Sequence, residues 1–131
     1  MSITEILKTY LLTTPVFLGI DAFWLGVIAK NFYQQRIGDL MRTPINWLPA
    51  LVFYLLFPLG IILFAVKGRN NWQEVLLFGA LFGFYTYATY DLTNLATLKG
   101  WPLTVTVVDI LWGSFIATVI AGVAYWISTN A

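Results

Sequence analysis

The sequence predicts an all-α integral membrane protein, with four transmembrane helices in an antiparallel bundle and a short interfacial helix between helices one and two. Three observations carry that expectation. Of 131 residues, 60% are hydrophobic and only 10% are charged, whereas a soluble domain carries about 25% charged residues. Four apolar runs each approach the roughly 20 residues that cross a bilayer. All seven Lys and Arg residues fall at or near the ends of those runs, where long basic side chains can reach the interface.

The first helix is expected from about Ile6 to Ala29. The segment starts with Glu5 and Lys8, is too long for the apolar core of a signal peptide and lacks a small-residue cleavage site, so it reads as a retained helix. Pro15 lies inside it and predicts a mild kink. The longest connection, Lys30 to Thr43, repeats apolar residues at helical spacing: Phe32, Tyr33, Ile37, Leu40 and Met41. That pattern predicts a short helix lying on the interface and ended by Pro44. Such a segment is either a connector on the headgroups or a lid over a site below it.

Helix two is expected from about Trp47 to Val66, and its Pro49 and Pro58 predict bending that a membrane helix tolerates when neighbours satisfy the freed carbonyls. Lys67 to Asn71 is a polar turn. Helix three runs from about Val75 to Leu98, and Lys99-Gly100 leads almost directly into helix four, about Trp101 to Ile127. Pro102 suits that helix's first turn. Trp47, Trp72, Trp101 and Trp126 mark helix ends, as an interfacial aromatic belt requires. No linker or low-complexity stretch divides the chain, so residues 1–131 are expected to form a single four-helix domain.

Composition also excludes chemistry. Cysteine and histidine are absent, which removes disulfides, thiolate and imidazole metal sites, and any Ser-His or Cys-His catalytic pair. A net charge of +1 leaves no footprint for nucleic acid. Neither a cofactor nor a metal site is expected from the residues. Lys30, Arg36, Arg42 and Lys99 lie on one membrane side, and Lys8, Lys67 and Arg69 on the other. That excess of one positive charge favours the first side as cytoplasmic, with both termini outside. So thin a margin also admits dual insertion and an antiparallel dimer.

Three acids break the apolar pattern. Asp21 lies eight residues before Ala29, Asp91 seven before Leu98, and Asp109 eight after Trp101. At 1.5 Å per residue each is about 10–12 Å below the nearer helix end. With four crossings, the C-terminal ends of helices one and three share a surface with the N-terminal end of helix four. All three acids therefore belong to one half of the membrane, at similar depth. Ionised and isolated, they would cost roughly 9 kcal/mol on insertion scales, a cost that falls only if they face inward together. They are expected to titrate as a coupled cluster, with at least one holding its proton near neutral pH.

Their neighbours complete a candidate pocket. Tyr87, Asp91 and Asn94 share a face of helix three. Phe17, Asp21 and Trp24 align on helix one, and Thr106, Asp109, Trp112 and Gly113 on helix four. The two Asp-x-x-Trp elements sit on helices running in opposite directions. Trp24 is thus expected one turn shallower than the acids and Trp112 one turn deeper, bracketing the carboxylates with indole faces. Asp21, Asp91 and Asp109 are the candidate binding or proton-carrying residues, with Trp24, Tyr87, Asn94 and Trp112 as pocket lining. Gly26, Gly79, Gly83 and Gly113 read as packing contacts.

The segments Asp21-Ala22-Phe23-Trp24, Tyr90-Asp91-Leu92-Thr93-Asn94-Leu95-Ala96-Thr97 and Val108-Asp109-Ile110-Leu111-Trp112-Gly113 carry a resemblance that spans nearly the whole chain. It resembles the domain-of-unknown-function-2177 family of predicted bacterial membrane proteins. The resemblance implies a small multi-pass protein of the bacterial inner membrane and implies no activity. Three functions follow from the residues themselves. An acidic layer in a small bundle suits proton-coupled transport or conduction of a small cation or polar solute, with a homodimer enclosing the needed volume. Alternatively, two carboxylates could act as general acid and base on a lipid or isoprenoid. A third reading is an accessory subunit whose acids only hold helices or a partner together.

Overall fold

Ser2 starts the first helix with a reciprocal cap: its hydroxyl accepts from the Glu5 amide at 3.1 Å, and the Glu5 carboxylate accepts from the Ser2 amide at 3.0 Å. The computed structural model describes every residue from Met1 to Ala131 and contains no strand. Helix α1 spans Ile3–Phe23 and runs through Pro15, then widens into a π-helical turn at Trp24–Ile28. Helix α2, Lys30–Ile37, follows after a single residue and ends in a 3-10 turn, Gly38–Leu40, before Pro44 is reached. Helix α3 spans Trp47–Ile61 and also ends in a π-helical turn, Ile62–Val66. Helices α4, Trp72–Thr97, and α5, Leu103–Asn130, complete the bundle.

Four segments are long and apolar enough to cross a membrane: Ile3–Ile28, Trp47–Val66, Trp72–Thr97 and Leu103–Asn130. Their outward surface is apolar, with Leu11, Leu56, Leu77, Leu111 and Phe115 all exposed, as contact with lipid requires. The connections use local chemistry. Gly68 and Gly100 turn the chain at φ of 80° and 79°, a region that residues with a Cβ rarely enter. The Asn71 side chain accepts from the Glu74 amide at 2.9 Å and caps α4. Pro102 stands just before α5 rather than inside its first turn.

Helices α4 and α5 make the most intimate pair, and small residues are the reason. A Cβ placed on Gly79 would stand 2.6 Å from the Ala121 Cβ and 3.0 Å from the Ala117 carbonyl oxygen. Gly83 meets the Gly113 backbone and Gly113 meets the Tyr87 ring just as closely. Phe17, Phe57, Ile61, Ile62, Ile116 and Ile120 fill the core of the half that lies away from α2.

Helix α3 divides into two unlike halves. From Phe57 onward it is built into the core, with Phe57, Pro58, Ile61, Ile62, Ala65 and Val66 buried. No residue between Trp47 and Leu56 is buried. Pro58 lacks the amide that would bond the Tyr54 carbonyl, so the change of character falls where the helix is weakest. One turn away, the Tyr10 hydroxyl donates to the Leu55 carbonyl at 2.7 Å and ties α3 to α1. The free half of α3 leaves space beneath α2, and that space holds the polar site.

Candidate functional site

Asp21 points inward from α1 and is only 4% exposed. Its carboxylate accepts a hydrogen bond from the Trp112 indole Nε1 at 3.0 Å across the bundle. The Tyr54 phenol of α3 faces the same carboxylate. Asp109, on α5, accepts from the Tyr33 hydroxyl at 2.8 Å, and Tyr33 in turn accepts from the Trp24 indole Nε1 at 3.3 Å. Helix α2 therefore reaches down into the site rather than only resting above it. Tyr33 is buried, and burial, followed by the charge of Asp109, pushes its phenol above the ordinary value of 10.0.

The two indoles do not bracket the carboxylates from opposite sides, as depth along the helices predicts. Trp24 and Trp112 stack on each other, with ring centroids 4.3 Å apart and planes within 6°. The reason is side-chain direction. Helical side chains tilt toward their own N-terminus, and α1 and α5 run oppositely. Trp24 therefore leans deeper and Trp112 leans toward the surface, until the rings meet. Stacked in this way, their edges serve two acids: Trp112 serves Asp21 directly, and Trp24 serves Asp109 through Tyr33.

Asp91 differs from both. It is fully buried on α4, and neither carboxyl oxygen has a hydrogen-bond donor within reach. The hydrogen-bonding group that faces it is the carboxyl of Asp109. Two facing carboxyl groups with no donor between them repel each other when both are charged. Asp91 and Asp109 thus form a pair, while Asp21 stands apart, linked through the stacked indoles. The three aspartates do not converge as one metal-binding cluster.

Two adjoining cavities open onto this network. The outer one, about 760 Å³, lies between the C-terminal half of α1, α2 and the free half of α3. Of its 17 lining residues 13 are hydrophobic, and Lys30 and Gln34 stand on the α2 side. The inner one, about 600 Å³, is lined by Asp21 and Asp109 together with Tyr54, Tyr87, Tyr90 and Trp112. Leu25, Ala50, Tyr54, Tyr90 and Asp109 belong to both walls. Asp91 sits behind Asp109, outside both linings, and neither Trp24 nor Asn94 lines either cavity. Trp24 is taken up by the stack, and Asn94 lies one turn nearer the membrane surface.

Sequence reasoning places Tyr90 beside the Asp91 face and Tyr54 deeper on helix two, and misses the part played by Tyr33. Tyr33 had a readable signal, being a phenol on the otherwise apolar face of the helix that follows Trp24.

Four helices long and apolar enough to cross a membrane define a multi-pass membrane protein, and Asp21 and Asp91 are buried between them. The chain belongs to the family of predicted membrane proteins DUF2177, whose model matches residues 6–126. No curated protein and no solved structure matches it.

Proposed function

We propose that this protein is a proton-coupled carrier of a small cation or polar solute, with Asp91 and Asp109 as the proton-carrying pair. The observation that carries the reading is the Asp91 carboxyl, fully buried, without a donor and facing a second acid. A carboxyl held there for structure alone would be expected to have a hydrogen-bond donor. The pair exchanges its proton for positive charge arriving in the cavity, and Asp21 supplies a second anionic wall. The other half of the bundle is a packed apolar core, so the cavity reaches one surface in this conformation. The π-helical turns at Trp24–Ile28 and Ile62–Val66 are breaks at which α1 and α3 could shift to expose the other, since such turns recur at functional sites.

In the same proposal the protein lies in the bacterial inner membrane with α2 on the cytoplasmic side, following the slight excess of Lys and Arg there. Proteoliposomes carrying a pH gradient test the function. The Asp91→Asn and Asp109→Asn variants are expected to abolish proton-coupled flux while still inserting and folding. Unchanged flux in both refutes the reading. The apolar wall of the outer cavity favours a second reading, an enzyme on a lipid or isoprenoid with the acid pair as proton donor. Product formed from a membrane lipid extract by the wild type, and lost in Asp91→Asn, is the outcome that reading requires.

A further inference from the structure

The inner cavity combines two features that select a particular kind of cation. Its charged groups are the carboxylates of Asp21 and Asp109, and its walls carry the rings of Tyr54, Tyr87, Tyr90 and Trp112. Both carboxylates already hold a fixed donor, Trp112 at 3.0 Å and Tyr33 at 2.8 Å. They present negative charge at the wall rather than a free set of converging oxygens. A hard cation such as Mg²⁺ or Ca²⁺ wants six or more oxygens around one point, and no cluster of three acidic side chains supplies them. A diffuse charge wrapped in methylene or methyl groups needs the opposite: aromatic faces, a carboxylate at some distance and no ligand cage.

We propose that the inner cavity binds an organic ammonium ion carrying an apolar body, with the charged nitrogen among the tyrosine and tryptophan rings near Asp21 and Asp109. This names the substrate class for the carrier reading and rests on it. The apolar body lies in the outer cavity, whose shared wall with the inner one runs through Leu25, Ala50 and Tyr54. Leu25, in the π-helical turn after α1, and Trp47 of α3 both line the outer cavity and are themselves exposed. A ligand dissolved in the bilayer can therefore enter sideways between these helices. Lys30 lines the same cavity, and its positive charge disfavours entry of a cation past it.

Calorimetric titration of the full chain in lipid nanodiscs tests this without any gradient. The probes are benzyltrimethylammonium and neopentylbenzene, its neutral isostere. The ammonium is expected to bind and the isostere to bind at least about tenfold more weakly. Tyr54→Leu is expected to weaken the ammonium about tenfold while Tyr54→Phe, which keeps the ring, binds within about twofold of wild type. Equal affinity for the isostere overturns the proposal, as does no ammonium binding at all or equal loss in both Tyr54 variants. Ammonium binding without proton-coupled flux would uphold this site and refute the carrier. Flux with an inorganic cation and no ammonium binding would do the reverse.

Discussion

Replacing Asp91 by Asn separates a shared proton from a pair of charges. The side chain is nearly isosteric, and Asp91 is fully buried with the Asp109 carboxyl facing it. If the pair holds one proton, the wild type already has a hydrogen bond to a charged acceptor there, worth about 1.5–3 kcal/mol. The Asn amide donates to Asp109 in the same place, so the two proteins should agree in stability to within about 1 kcal/mol. If both carboxyls were ionised, the outcome would differ. Two unit charges about 4 Å apart at an effective dielectric of about 20 repel by about 4 kcal/mol, and Asn would relieve that. Reversible unfolding in mixed micelles at neutral pH, followed by tryptophan fluorescence, reads the difference. The expected result is near-equal stability together with loss of proton-coupled flux. A gain of about 4 kcal/mol would refute the shared proton, and retained flux would refute the proton-carrying role.

Other substitutions test the supporting network. Trp112→Phe keeps a ring for the stack but removes the donor at 3.0 Å from Asp21. It should cost about 1.5–3 kcal/mol in the same unfolding assay, and a change within error would mean that the bond contributes nothing. Tyr33 has its phenol pushed above 10.0 by burial and by Asp109, so the folded protein holds that proton at a pH where the unfolded chain releases it. Its contribution is present below pH 10 and is lost as the pH climbs beyond it. Tyr33→Phe should flatten that alkaline decline, and an unchanged slope would place the titrating group elsewhere. Gly79→Leu drives a side chain into Ala121 and the Ala117 carbonyl, and is expected to cost about 3 kcal/mol or to prevent assembly of α4 on α5. Wild-type stability in that variant would show that the two helices do not approach as closely as described.

The helices were legible because apolar run length and end chemistry are local properties. The ends expected at about Ala29, Val66 and Leu98 fall within one residue of those observed at Ile28, Val66 and Thr97. The candidate site was legible only in part. Depth along each helix pointed to Asp21, Asp91 and Asp109 as one layer, yet it carries no information about which acids face each other. That depends on helix rotation and on which neighbours touch, which single-helix spacing cannot express. Cα depth alone does not express the stacking of Trp24 on Trp112, because an indole reaches about a helical turn along the axis. Tyr33 reached Asp109 through a fold-back of α2 that begins at the π-helical turn Trp24–Ile28, a break that no proline or glycine pair announces. The cavities depend on the free half of α3, and Pro58 marks where that half ends without saying which neighbours it lacks.

A proton held between Asp91 and Asp109 is directly observable by infrared spectroscopy. At neutral pH the wild type should show the C=O stretch of a protonated, buried carboxyl, and Asp91→Asn should lose that band while Asp21→Asn keeps it. Absence of the band from the wild type, or its survival in Asp91→Asn, would contradict the shared proton and the carrier built on it.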